Sequence, residues 1–384
     1  MSFRGYPRPD GSVGTRNYVA VIPTVVCAAA TARQISDNVK GSVPFLHNQG
    51  CALTPYDLDM FNRTMTNLGR NPNVAAVVLV SLGCDPIDID GIAEGIAKSG
   101  KPVEKLTIQQ VGGTLATVEK GSRIARQMVS DASRVEREQF DDSGLMFGAE
   151  CGGSDTTSGL GSNPAIGAAF DILVKRGGRA TFSETTEFIG AEHLLAQRAV
   201  TPAVGKQIVD MVCRYEQRFL ERGVDMRGTN PTKGNIEGGL TSIEEKSLGA
   251  ISKGGTQPIQ EIYEYGERPQ KGGLSIVDGP GFDAPSLTAL AAAGSTIMLF
   301  STGRGTPLGS PFVPVVKVTA NEATYQKMND NMDFYVDLSR KDNMGEIGAE
   351  LYEECLRVAS GKKTKAEILD QDRYNGMFVV GPLA

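Results

Sequence analysis

The run Ala75-Ala76-Val77-Val78-Leu79-Val80-Ser81-Leu82-Gly83-Cys84 is almost continuously apolar and closes on a glycine. A strand with no polar face is buried on both sides, as strands of parallel sheets are. Parallel strands need crossover connections, usually helices, and the neighbouring sequence supplies them. Residues 18–27 read as a preceding strand, 28–39 as a helix, 106–110 as a third strand, and 115–138 as the longest helical pattern. The same alternation returns with a helix over 165–174, a strand over 179–183, and further strands over 275–278 and 296–301. Strand, helix, strand in that order predicts an α/β fold. The expectation is two domains with mainly parallel sheets flanked by helices, the C-terminal one Rossmann-like.

At 384 residues the chain exceeds one typical core and fits two domains. A net charge of −6, with no lysine or arginine run, argues against a nucleic-acid surface. No window of about eighteen apolar residues predicts a membrane span, and Met1-Ser2-Phe3-Arg4-Gly5-Tyr6 lacks a signal-peptide core. Six cysteines in such a chain are expected as free thiols or ligands rather than a disulfide frame, in the cytoplasm.

The densest polar loop is Ala149-Glu150-Cys151-Gly152-Gly153-Ser154-Asp155-Thr156-Thr157-Ser158-Gly159. Glycines let backbone approach a ligand closely while carboxylates, a thiol and hydroxyls converge on it. Cys27 and Cys84 both close strand-like runs, where ligands of parallel sheets collect. His47 and Cys51, four apart, suit one metal or, equally on spacing, a satisfied core histidine and a buried thiol. Together Cys27, Cys51, Cys84 and Cys151, with His47 near, suit an iron–sulfur site, a mononuclear iron or metal-free thiols. Cys213 and Cys355 sit inside helical patterns and read as packing residues.

In the second half, Glu184, Glu187, Glu192 and His193 fall within ten residues. They read either as acid/base or metal-ligating groups, or as carboxylates favoured by a helix start over 189–198 beside a surface histidine. Thr241-Ser242-Ile243-Glu244 has the capping-box order, while Glu244-Glu245-Lys246 adds proton-transfer and carboxylate-binding groups. Thr302-Gly303-Arg304-Gly305 closes a strand with hydroxyl, guanidinium and free amides, a combination that suits a small carboxylate.

Gly5-Tyr6, Arg8-Pro9-Asp10-Gly11, Arg16-Asn17-Tyr18, His47-x-x-Gly50-Cys51, Leu82-Gly83-Cys84, Glu150-Cys151-Gly152-Gly153-Ser154-Asp155, Gly190-Ala191-Glu192-His193, Glu237-Gly238-Gly239-Leu240-Thr241, Ile243 to Gly249 and Thr302-Gly303-Arg304-Gly305 run in order along the chain. In these motifs the chain resembles the altronate/galactarate dehydratase family. The resemblance implies domains at 1–144 and 145–384, and dehydration of a sugar acid to a 2-keto-3-deoxy acid. It also implies dependence on a divalent metal, Fe²⁺ or Mn²⁺. On this reading His193 is the base or acid, partnered by Glu192, Glu244 or Lys246. Arg304 and Thr302 hold the substrate carboxylate, Ser154, Asp155, Arg16 and Asn17 add contacts, and His47, Cys51, Cys84, Cys151 and Cys27 form the metal neighbourhood. The family's small SAF-type domain is expected on a separate subunit or dispensed with, and the catalytic chain is expected to form a homo-oligomer. The same family includes a sulfolactate sulfo-lyase large subunit. A non-catalytic sugar-acid-binding subunit is the remaining alternative.

Overall fold

The computed structural model describes residues 2–373 and 375–383. The strands are β1 Ser2–Pro7, β2 Val13–Gly14, β3 Tyr18–Pro23, β4 Ser42–Pro44, β5 Val74–Ser81, β6 Val103–Thr107, β7 Glu138–Asp141, β8 Met146–Cys151, β9 Arg179–Phe182, β10 Ile259–Tyr263, β11 Gly273–Val277, β12 Ile297–Ser301, β13 Val315–Thr319 and β14 Phe334–Tyr335. They form a four-stranded sheet in the order β4-β3-β5-β6, a seven-stranded sheet in the order β10-β11-β9-β8-β12-β13-β14, and a small β2-β1-β7 sheet. Every pair in the two larger sheets is parallel. The third is antiparallel. The expected α/β class with parallel sheets between helices is the observed one.

The apolar runs explain the layering. Alternate residues of β3 and β5 point to opposite faces. Val19, Val21, Ala76, Val78 and Val80 pack under α1 (Val26–Asp37) and the helix Thr114–Ala132. Ala20, Ile22, Val77 and Leu79 pack on the other face with Phe61, Met65 and Leu68 of α2 (Pro55–Gly69). That second core also contains Leu287, Leu290 and Ala291 of the helix Asp283–Ala293, together with Met298 and Phe300 of β12. One apolar layer therefore serves both sheets.

One boundary differs from the sequence reading. Residues 18–27 contain Val25-Val26, a pair with β propensity, yet β3 stops at Pro23 and α1 begins at Val26. A parallel strand must hand over to a crossover, and that requirement overrides local propensity. Cys27 therefore lies in the first turn of a helix. Similarly, the strand expected over 106–110 ends at Thr107, and the long helix spans Thr114–Ala132. In the large sheet β9 lies on one side of β8 and β12 on the other. Such a reversal leaves a crevice at the carboxyl ends of the two strands.

Candidate active site

At the carboxyl ends of β8 and β9 lies a knot of buried charge. Cys151, the last residue of β8, donates its N–H to Glu184 Oε2 at 2.8 Å, and its thiol faces Glu187 Oε2 at 3.8 Å. Lys253 Nζ lies 3.0 Å from Cys151 Sγ and also donates to Glu184. Lys246 Nζ pairs with Glu187 Oε1 at 2.7 Å and donates to Asn230 Oδ1 at 3.1 Å. Beneath them Ser286 donates to Glu150 Oε2. Glu150, Cys151, Glu184, Glu187, Lys246 and Lys253 are all buried.

Local structure places each group. Glu184 follows β9 with φ +78°, ψ +59°, a left-handed conformation that a residue with a Cβ adopts at a cost of about 1 kcal/mol or more. The turn Thr185–Glu187 then returns Glu187 to the same side, pinned by Thr185 N–H to Gly279 O at 2.8 Å and Thr185 Oγ1 to Asp278 Oδ1 at 2.6 Å. The helix Ile243–Ile251 is capped by Ser242, which accepts from Glu245 N–H at 3.2 Å, while Glu245 Oε2 accepts from Thr241 N–H at 2.8 Å. The cap thus starts one residue later than Thr241-Ser242-Ile243-Glu244 suggests. Lys246 lies on this helix, and Lys253, seven positions on, in the turn that follows it. Both reach into the knot.

The electrostatics follow from burial. Burial pushes the Cys151 thiol well up, reinforced by Glu184 and opposed by Lys253, so it stays protonated at neutral pH. Burial, then Glu184, drives the Glu150 carboxyl well up. Burial lifts Glu184 to about 7 against the pull of Lys253. For Lys246 burial favours the neutral amine, but Glu187 outweighs it and the net shift is upward. Lys253 behaves alike: burial favours the neutral amine, but the surrounding anionic charge, Glu184 included, outweighs it and the net shift is upward.

Two cavities open on this knot. The larger, about 550 Å³, is lined by Glu187, Lys246, Asn230, Arg218, Arg222 and Phe282 among others. The smaller, about 260 Å³, is lined by Ser154, Asp155, Ser158, Asn163, Glu245 and Lys246. Lys246 is common to both. Asp155 is held in its own turn by Thr157 Oγ1 at 2.6 Å and Ser158 N–H at 2.9 Å, and by Asn321 Nδ2 at 2.8 Å. A Cβ on Gly303 would fall 2.1 Å from Asp155 Cγ, so the β12 loop needs glycine there.

The remaining expected residues lie apart from the knot. His193 is exposed on the helix Glu192–Gln197 and lines neither cavity. Glu192 accepts from Gly190 N–H at 2.6 Å, and Glu244 is exposed beside Arg227 Nη1 at 3.4 Å. Arg304 donates to Gly234 O at 2.7 Å and meets Glu237 at 3.2 Å, and Thr302 Oγ1 accepts from Gly305 N–H at 2.9 Å. Asn17 bridges Arg8 at 2.7 Å and Ala132 O at 2.8 Å. His47 is neutral: burial lowers it to about 4, Nε2 bonds Pro23 O at 2.7 Å, and Nδ1 accepts from Gln49 N–H at 3.2 Å. Cys27, in the first turn of α1, and Cys51 and Cys84, in the segments after β4 and β5, are exposed free thiols, whereas Cys151 is buried.

Arg16 grips Glu367 with both arms of its guanidinium, at 2.6 and 2.7 Å, and donates to Val358 O and Lys362 O at 2.9 Å. This buried strap ties β3's approach to the C-terminal segment. Arg16→Met leaves the buried Glu367 without its cation, held by Tyr18 Oη at 3.1 Å and Thr364 N–H at 2.8 Å, and the expected cost is about 3 kcal/mol. Urea unfolding of the variant measures it; a change below about 1 kcal/mol refutes the strap.

Among the described residues, Cys151, Glu184 and Glu187 are the one group of three whose ligand atoms lie within 4.8 Å of one another, and such a group can bind a metal ion. Glu184 Oε1, buried without a hydrogen-bond partner, offers a lone pair. Lys253, however, already bridges the thiol and that carboxylate, so an ion among these three would displace a buried ammonium.

The D-galactarate/altronate dehydratase C-terminal model matches residues 142–379, and the second-domain model of D-galactarate dehydratase/altronate hydrolase matches residues 5–133. The chain belongs to the galactarate/altronate dehydratase family. It is similar to the (2R)-sulfolactate sulfo-lyase subunit beta of Chromohalobacter salexigens, 40% identical over 97% of this chain and 96% of the relative. It is 34% identical to the altronate dehydratase of Bacillus subtilis over 95% of this chain and 75% of the relative. With the galactarate dehydratase (L-threo-forming) of Escherichia coli it shares 35% identity over 94% and 73%. Among the described residues no helix of this family member is long and apolar enough to cross a membrane.

Lys246 and Cys151 are named in the sequence reading of this family member and Lys253 is not, while Glu184 and Glu187 enter it as acid/base or metal-ligating groups or, alternatively, as helix-start carboxylates. The signal for Lys253 was its spacing: Lys246 and Lys253 stand two helical turns apart, hence on one face.

Proposed function

We propose that this protein is a lyase acting on a hydroxylated carboxylic acid, removing a proton α to the carboxylate and expelling a group from the β carbon. The observation that carries the reading is the Glu187–Lys246 pair at the floor of the larger cavity, backed by Lys253, Glu184 and Cys151. A carboxylate within reach of a bound substrate takes the α proton. The Lys246 ammonium, kept charged by Glu187, compensates the enediolate that develops. Arg218 and Arg222 on the cavity wall supply cations for the anionic ends of the substrate. A divalent ion, Fe²⁺ or Mn²⁺, that displaced Lys253 and took Cys151, Glu184 and Glu187 as ligands would supply Lewis-acid polarisation of the departing group.

The first reading of the leaving group is hydroxide, from an altronate- or galactarate-type sugar acid, giving a 2-keto-3-deoxy acid. The second is sulfite, from a sulfolactate-type acid. A specific observation supports that second reading: the sulfo-lyase subunit matches over 96% of its own length, the dehydratases over about three quarters. Its name as a subunit supports a partner subunit for this chain as well. The test is incubation of the protein with altronate, galactarate and sulfolactate under reducing conditions, with Fe²⁺ or Mn²⁺ added. A keto acid without sulfite selects hydro-lyase, sulfite selects sulfo-lyase, and neither product, with or without a partner subunit, overturns the proposal.

Replacing Arg218 or Arg222 by Met is expected to raise KM about tenfold with kcat within about twofold, since each removes one charge-assisted contact of about 1.4 kcal/mol. Steady-state kinetics separates the two parameters. A fall in kcat at unchanged KM would remove the arginines from substrate binding.

A further inference from the structure

Three exposed cysteines lie in the segments that follow three neighbouring strands. β4, β3 and β5 are adjacent in the smaller sheet, and the segments leaving their carboxyl ends carry Cys51, Cys27 and Cys84. The chain runs from β3 to β4 on one side and places β5 on the other, so this edge is itself a reversal point where ligands collect.

The three segments are tied to one spot. Val26 N–H donates to Gln49 O at 2.9 Å. Gly50, at φ +107°, rests so closely on the turn after β3 that a Cβ would stand 2.2 Å from Thr24 O. Thr24 Oγ1 donates to Asp85 Oδ1 at 3.0 Å, and Asp85 Oδ2 accepts from Leu82 and Gly83 N–H at 3.1 and 3.2 Å. Cys27 adjoins Val26, Cys51 adjoins Gly50, and Cys84 adjoins Asp85. With about 3.8 Å between successive Cα atoms, each thiol hangs from a residue one step from this knot.

α1, twelve residues long, starts here with Val25 at its N-cap, no side-chain cap and no acidic residue in its first turn. Its positive end is therefore left to whatever binds beside Cys27. A closed zinc site needs four ligands. His47, the nearest imidazole in sequence, has both nitrogens engaged by backbone. An odd number of thiols does not resolve into disulfides either.

We infer that Cys27, Cys51 and Cys84 bind an iron–sulfur cluster of the [4Fe–4S] type, through three thiolates with one iron left without a protein ligand. Soft thiolates select such clusters. The iron without a protein ligand supplies a Lewis-acid position for an oxygen substituent of a substrate. A cavity of about 730 Å³ lies beside this edge, lined by Ala29, Ala30, Gln49 and Phe282. Phe282 also lines the larger active-site cavity. The assignment stands on the cysteine geometry and holds for either leaving group.

The test uses the full chain, purified or reconstituted anaerobically with Fe²⁺ and sulfide. The expected result is iron and acid-labile sulfide in about equal amounts, a visible charge-transfer band bleached by dithionite, and three thiols protected from alkylation, mapped to Cys27, Cys51 and Cys84. Ser at any one of the three is expected to lower bound sulfide at least about fivefold, whereas Cys213→Ser and Cys151→Ser keep the cluster. Circular dichroism confirms that each variant folds. Iron without sulfide, no iron after reconstitution, or a triple Ser variant that keeps the visible band would each overturn the assignment. A cluster-loaded protein inactive on every acid tried would overturn the proposed lyase reaction and leave the cluster standing.

Discussion

Glu187→Gln is expected to lower kcat about 10³-fold at neutral pH with little change in KM, the scale of losing a positioned general base. The substitution keeps shape and one acceptor for Lys246, which now sits 2.7 Å from Glu187 Oε1, but abolishes proton abstraction. Solvent exchange distinguishes this from structural damage. The wild type is expected to wash deuterium from D₂O into the α position of substrate, and the variant is not. Exchange at the wild-type rate in Glu187→Gln would assign the base elsewhere, and His193, Glu192 and Glu244 would be tested next. The pH profile gives a second reading. Glu184, lifted to about 7 by burial against Lys253, is expected to set a limb of kcat/KM that rises through pH 7 as it ionises. Glu184→Gln removes that limb.

The sheets were legible because fully buried strands leave a signal that survives without context: β5 and β12 are apolar up to a closing serine. The polar cluster around Cys151 was legible for a similar reason, but its bounds were not: residues 149–151 form the end of β8, and the loop begins only at Gly152. Nor was the division of the cysteines legible. The sequence groups Cys27, Cys51, Cys84 and Cys151 together, but only the pairing of strands reveals that three follow strands of one sheet while the fourth ends a strand of another. Arg16 looked like a ligand-binding residue because a motif arginine carries the same letter whether it meets substrate or Glu367, 351 positions away. Glu184 stood out as a titratable residue, but its partner did not: no propensity predicts a left-handed glutamate, and that conformation turns its carboxylate onto Cys151 N–H.

Lys253→Met is expected to cost about 3–5 kcal/mol of stability at pH 8, because it strands the Glu184 carboxylate in the interior. The sign of the pH dependence is specific. Glu184 has a folded-state pKa raised above the unfolded value near 4.3. Its contribution to stability is therefore complete below that value and lost as pH rises through about 7. Removing Lys253 removes the group that pulls this pKa down, so the folded value climbs further and the loss continues above pH 7. The variant is expected to unfold close to wild type at pH 5, where the carboxyl is protonated, and far earlier at pH 8. The double variant Lys253→Met/Glu184→Gln removes both charges and is expected to recover most of the stability, without recovering turnover. Urea unfolding of the three proteins at the two pH values decides the matter. Equal destabilisation of Lys253→Met at both would show that packing of the lysine stem, rather than its charge, holds the site together.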